Sequence, residues 1–231
     1  MTRRLLRYGA YGLLALTMPL VVVLSATLYY AFNSDFYSAS FAAEGTAALL
    51  ELSDADMERV ITGMTDYLSG RSPSMDLTVT LEGRVTRFYN DKELAHMVDV
   101  RNLMALGTTV RNGLLVLGLG LLGLLTVTGG CRVFWRGLLA SALGALGFAA
   151  LLGALAATDF TGAFYRFHEL FFTNDLWLLD PATDRLIRML PESFFFAITA
   201  RILTVSGAAV AAAGGLALWG IRRCGPDAGG R

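Results

Sequence analysis

The chain has 231 residues, of which 55% are hydrophobic and only 16% charged, and its mean hydropathy is +0.54. This excludes a highly charged disordered chain. Nineteen basic and nineteen acidic residues cancel, which excludes a strongly basic nucleic-acid binder, and two cysteines exclude a disulfide-rich scaffold.

Four apolar stretches are long enough to cross ~30 Å of hydrocarbon. They run at about 12–32, 113–130, 137–158 and 194–221, and only Arg201 interrupts the last. The first follows Arg3, Arg4 and Arg7 but is too long for a signal-peptide core and has no small-residue cleavage site at Tyr29–Tyr30. A retained anchor is expected. Arginines mark the N-terminus, the turn at Arg132 and Arg136, and the tail, where Arg222, Arg223 and Arg231 outweigh Asp227. Positive residues stay on the inner side, so both termini are expected in the cytoplasm. Cys131 and Cys224 then fall on the reducing side and are expected as thiols.

The segments expected outside are acidic: twelve acids against seven bases in 33–112, and six against three in 159–193. Within the first, helices are expected at 41–52 and at 54–68. The second starts at Ser53 or Asp54 and places Met57, Val60, Ile61, Met64 and Leu68 on one face. Alternating residues at 76–81 and 84–89 around Glu82-Gly83 predict a hairpin. Asn90 or Asp91 then caps a helix from about 92 to 106, with Glu93 placed to close a capping box. The second outer segment is aromatic. Ten of the 25 aromatic residues lie in 159–196, and Phe164, His168, Phe171 and Phe172 share one helical face. A helix in the headgroup plane is the simplest structure for it. Small residues at steps of four (Ser141, Ala145, Ala149, Gly153, Ala157; Gly207, Ala211, Gly215) suit close helix packing in lipid.

The expected organisation is residues 1–32 as N-terminus and first span, 33–112 as cap, and 113–158 as two spans joined by a short turn. Residues 159–193 form an interfacial segment, and 194–231 the last span and tail. The fold class is an all-α polytopic membrane protein, a four-transmembrane-helix bundle with a small extracytoplasmic α+β cap.

Chemistry narrows to His96 and His168, the only histidines. Both fall in outer segments near the membrane surface. Glu93 and Asp99 lie three residues on either side of His96, and a carboxylate there can orient the ring and raise its basicity. Phe164, Phe167, Phe171 and Phe172 form an aromatic wall around His168. Arg201 is a further candidate, because an intramembrane charge is costly, although its long side chain can snorkel to the interface. No Gly-x-Ser-x-Gly elbow or glycine-rich phosphate loop is present. A metal on the two histidines with Glu93, Asp99 or Glu169 is a lesser alternative. No metal or cofactor is expected.

Two stretches carry a resemblance. One holds Asn90, Asp91, His96, Met97, Asp99 and Val100. The other holds Phe167, His168, Phe172, Asn174, Asp175, Trp177, Pro181, Asp184, Leu186, Ile187, Pro191, Phe194 and Phe195. With four spans and a cap after the first, the chain resembles the lipoprotein intramolecular transacylases of bacterial membranes. The resemblance implies a substrate lipoprotein whose N-terminal cysteine bears an S-diacylglyceryl group and a free α-amine. It implies transfer of the sn-2 acyl chain to that amine, giving the lyso form, at an extracytoplasmic site in the bacterial cell membrane. His96 and His168 match the catalytic pair. Asn90, Asp91, Met97, Asp99, Asn174, Asp175 and Trp177 are expected to bind or orient substrate. Membrane lipid is the other expected partner, and nucleic acid is not. The residues read alone favour His96 as the base. They leave open a non-catalytic lipid-binding or assembly protein, and a lipid hydrolase or metal enzyme.

Overall fold

The structure is a computed structural model that describes residues 2–224. Asp227 and Arg231 of the tail, and the side chain of Arg3, lie outside the described residues. The elements in chain order are α1 (Thr2–Ala31), α2 (Ser34–Glu44), α3 (Thr46–Leu49), α4 (Asp54–Leu68), β1 (Thr78–Leu81), β2 (Arg84–Arg87), α5 (Asp91–Thr158), α6 (Phe160–Phe171), α7 (Arg185–Met189) and α8 (Glu192–Arg223). The chain is mostly helical and divides into two compact units. One comprises Met1–Thr27, Thr108–Thr158 and Thr199–Arg231, and the other Leu28–Gly107 and Asp159–Ile198.

The first unit holds the apolar helices. Three helices are long and apolar enough to cross a membrane: Arg4–Ala31, Asp91–Thr158 and Glu192–Arg223. The second of these is 68 residues long and contains one non-helical residue, Gly130, at φ 73°, ψ −168°. A side chain in that region of backbone space is strained, so glycine belongs there. The turn expected around Arg132 and Arg136 is thus a one-residue break, and residues 131–136 are already helical. Around it, Leu14 is fully buried and packs with Ala10, Leu125 and Val133. Arg7 donates to the Thr128 carbonyl at 2.5 Å. Ser141 and Ala145 of the predicted small-residue ladder are buried, but Gly207 and Gly215 face open space. A close backbone approach lies elsewhere: a Cβ on Gly144 would collide with the Ala15 backbone.

The cysteines overturn the expectation of two separate thiols. Cys131 and Cys224 are joined as a disulfide, with Cα atoms 6.0 Å apart. One sits beside the Gly130 break and the other just beyond α8, a proximity that sequence spacing does not reveal.

The second unit has a continuous core. Tyr37 and Phe41 of α2 pack with Met57, Val60, Ile61 and Met64 of α4 and with Val79, Phe88, Met97, Leu186, Met189 and Phe194. α4 begins where expected, with Ser53 Oγ accepting from the Asp56 amide at 3.1 Å. The helix expected at 41–52 differs. Asn33 starts it earlier by accepting from the Phe36 amide, and Gly45, left-handed at φ 67°, ends it. The hairpin pairs Thr78 with Arg87 and Leu81 with Arg84, turning on Glu82 and Gly83, both at positive φ. α5 does not stop near residue 106 as expected. Nothing between there and the apolar stretch beginning near Gly113 breaks a helix, so the polar start and the apolar run are continuous.

Candidate active site

All the residues that assemble around the histidines belong to the second unit. The start of α5 is fixed by a reciprocal cap. Asn90 Oδ1 accepts from the Glu93 amide at 2.9 Å, and Glu93 Oε2 accepts from the Asn90 amide at 2.7 Å. Here Asn does the work that Ser or Thr usually does in a capping box. The other Glu93 oxygen accepts from the Leu186 amide at 2.5 Å, and Asn90 Nδ2 donates to Asp184 at 2.8 Å. Asp184 also accepts from the Asp180 amide and the Thr183 hydroxyl, while Lys92 donates to the Leu178 carbonyl at 2.5 Å. This knot binds the first turn of α5 to the segment that follows α6.

Burial pushes the Glu93 carboxyl up, and its backbone hydrogen bonds offset that only in part. Burial also pushes Asp184 up, but its hydrogen bonds from Asp180, Asn90 and Thr183 and the charge of Lys92 more than reverse the effect. Glu93 therefore does not serve His96, as its spacing suggested. Both of its oxygens are committed to backbone amides.

The knot brings the two histidines together. Their ring centroids are 6.3 Å apart. His96, one turn into α5, is buried at 7% exposure and meets the edge of Phe172 at 5.2 Å. His168, in the last turn of α6, stacks on Trp177 at 4.9 Å and touches Phe164 at 4.3 Å and Phe172 at 5.6 Å. α6 itself starts on Asp159, which accepts from the Gly162 amide at 2.8 Å.

His168 Nδ1 lies 2.7 Å from the Phe164 carbonyl oxygen. A carbonyl only accepts, so Nδ1 carries the proton and donates, leaving the Nε2 lone pair free. Burial lowers the His168 pKa despite that hydrogen bond. His96 is pushed down to about 4, by burial first, then by His168, with Asp99 opposing. The expectation that neighbouring carboxylates raise its basicity is therefore reversed, because desolvation outweighs them. Its Nδ1 is buried with no hydrogen-bond partner among the described residues. Two neutral imidazoles at this distance can share a proton transfer and a hydrogen bond to a developing oxyanion.

The other predicted residues separate. Asn174 Nδ2 donates to Asp99 Oδ2 at 2.9 Å, one turn beyond His96. Asp99, Leu103, Leu106, Phe171, Phe172 and Asn174 line a cleft of about 260 Å³. Phe167 packs edge-on against His168 at 5.5 Å. Asp91 instead pairs with Arg87 at 2.6 Å, Met97 is buried in the core, and Asp175 gives its carbonyl to the Leu178 amide. Arg201 falls in the other unit. Asp184 and the Phe164 carbonyl were missed as functional groups. Asp184 acts across 94 residues, which no local pattern carries. The Phe164 bond follows the i−4 spacing of a helix and was legible in principle. Among the described residues, no group of three or more His, Cys, Asp or Glu could hold a metal ion.

Three helices long and apolar enough to cross a membrane mark a membrane-integral helical protein. The model of the family "Lipoprotein intramolecular transacylase Lit" matches residues 12–195, and the chain belongs to that family. It is accordingly an acyltransferase that acts on lipoproteins. Its fold is similar to that of the membrane-integral lipoprotein intramolecular transacylase Lit from Bacillus cereus, at TM-score 0.77 and 22% identity over 96% of this chain and 97% of that one. Two variants of the same protein, with a histidine replaced by arginine or by alanine, are similar at TM-score 0.74 and 21% identity. They match over 96% of this chain and 93% and 94% of theirs. No curated protein matches in sequence.

Proposed function

We propose that this protein moves the sn-2 acyl chain of an S-diacylglyceryl lipoprotein cysteine to that cysteine's own α-amine, with His168 as base and His96 as oxyanion donor. The observation that carries the reading is the imidazole pair, 6.3 Å apart inside an aromatic wall, in a chain of this family. An α-amine of pKa ~8 is mostly protonated at neutral pH. The free His168 Nε2 takes its proton, and the amine nitrogen attacks the ester carbonyl carbon. His96, kept neutral by burial, donates its N–H to the oxyanion. An uncharged imidazole suits that task. Collapse breaks the ester C–O bond as His168 returns its proton to the glyceryl oxygen, and the nitrogen sheds its second proton through the emptied Nε2 to water, leaving the neutral amide. Donor and acceptor share one molecule, so proximity lowers the barrier, and the aromatic wall keeps out water that would hydrolyse the ester.

The reading includes a topology. Gly130 divides α5 into two antiparallel spans, which makes four in all. The arginine-rich termini and the Gly130 turn face the cytoplasm, and the histidines face outward in the bacterial cell membrane. The α5 length supports a division, since an unbroken 68-residue helix at 1.5 Å per residue would run about 100 Å.

The test is the acyl pattern of a diacylated lipopeptide after exposure to the membrane-embedded protein, read by tandem mass spectrometry. Wild type is expected to yield N-acyl, S-monoacylglyceryl cysteine, and His168→Ala to abolish it. An unchanged acyl pattern with wild type sinks the reading. Release of free fatty acid would indicate a hydrolase.

A further inference from the structure

We infer that Asp99, oriented by Asn174, is the seat of the substrate's α-ammonium group, and that the adjoining cleft takes the apolar chain attached to it. The inference rests on the proposed transacylation and deepens it.

Asp99 is one of several acids without an ion pair among the described residues, and it is the one that lines the cleft. Asp56, Asp66, Asp76, Asp91 and Asp184 each lie within ion-pair distance of an arginine or lysine. Asp99 has no such partner among the described residues, although it is half-buried. One of its oxygens accepts from Asn174 Nδ2. The other has no hydrogen-bond donor among the described residues and is left for a ligand cation. Asn174 cannot turn its amide over, because its Oδ1 accepts from the Leu176 amide at 3.1 Å. The Asp99 carboxylate is thus held in one orientation before any substrate arrives, which limits the ordering cost of binding.

The surroundings define what binds. The cleft of about 260 Å³ is polar at Asp99, Asn102, Thr173 and Asn174 and apolar along Leu103, Leu106, Phe171 and Phe172. A cation joined to hydrocarbon matches that division. Phe172 lines the cleft and also touches both imidazoles, so a group seated there lies beside the histidines. His96 adds a buried Nδ1 with no hydrogen-bond partner among the described residues. Asp99 is three residues from His96 on the same helix, so the two share a face. When the ammonium gives its proton to an imidazole, the positive charge stays close to Asp99. The carboxylate therefore binds the substrate without opposing the proton transfer.

The test measures binding without turnover. The ligand is an S-dialkylglyceryl cysteine peptide with an ether in place of the sn-2 ester, offered with a free or an N-acetylated α-amine to the full chain in nanodiscs. Wild type is expected to prefer the free amine by about tenfold or more, the scale of a charged hydrogen bond. That preference should fade as pH rises through the amine pKa of ~8. Asp99→Asn should bring the ratio close to one, Asp99→Glu should restore part of it, and Asn174→Ala should reduce it. A purely structural role for Asp99 would weaken both ligands alike and leave the ratio intact, which overturns the inference. So does a wild-type protein with no preference, a measurement that needs no variant to fold. Wild-type conversion of the ester substrate, measured separately, tells failure of this site from failure of the transacylase reading.

Discussion

His168 gives its Nδ1 proton to a carbonyl one helical turn back, and that single bond decides which nitrogen can act. The same ring in the other tautomer would present a proton where the proposed reaction needs a lone pair. Burial lowers both histidines, so the acidic limb of kcat, set by His168, is expected below pH ~6.5, the unperturbed histidine value. A limb at or above that value in a pH–rate profile would contradict the burial argument. Stability follows with a definite sign. An unfolded chain protonates its histidines near pH ~6.5, whereas folded His96 does so only at about 4. The unfolded state binds more protons between these values, so stability declines as pH falls through that window and is unaffected by His96 above it. Thermal melts of the detergent-solubilised protein at pH 7.5 and 5 should show this decline, and His96→Phe should flatten it. The histidines themselves were legible in the sequence, being the only two. Their roles were not. Spacing places carboxylates near His96, but desolvation, which depends on what α6 and Phe172 cover, is the larger effect.

At the level of elements, the start of α5 depends on a side chain that satisfies two amides at once. Glu93→Ala leaves the Asn90 and Leu186 amides without that acceptor. Each buried unpaired group costs about 1–3 kcal/mol, so a loss of several kcal/mol is expected in equilibrium unfolding. Glu93→Gln keeps one acceptor and should lose less. If the two variants melt alike, the reciprocal cap is not what holds this turn. Gly130 is the second sensitive point. Gly130→Ala forces a side chain into backbone space reserved for glycine, at a cost of about 1–3 kcal/mol, while Gly12→Ala, with open space around it, should be neutral. The hairpin and α4 were readable, because alternation, Glu82-Gly83 and Ser53 are local signals. The end of α2 was obscured because alanine-rich sequence continues past Gly45 on both sides. The length of α5 was obscured because the predicted boundary rested on a change of polarity, and a change of polarity does not end a helix.

Across the whole molecule, the balanced charge divides between acidic segments at 33–112 and 159–193 and arginine-rich ends and turn. A reporter fused after Arg231 is expected to be cytoplasmic. The cysteines offer an independent check of that side. Cα atoms 6.0 Å apart lie in the range a disulfide spans, yet a reducing cytoplasm keeps thiols free. The bond in the structure and the proposed cytoplasmic side are therefore at odds, and alkylation in cells quenched with acid decides between them: the proposed topology requires Cys131 and Cys224 to be alkylatable there and to bond only once membranes are aerated without reductant. A bond already complete in quenched cells would put that end of the protein outside. The mostly helical, membrane-integral character was legible, because hydrocarbon thickness sets a length that sequence must meet. Contacts such as Asn90–Asp184 were not, because they join distant segments. The Glu93–Leu186 bond spans 93 residues, and this has a bearing on biosynthesis. Glu93 is translated first and has no Leu186 amide to bond until most of the chain has been made and threaded. The turn that carries His96 is therefore completed only late in synthesis, so the site proposed above is expected to assemble only once the segment after α6 is in place.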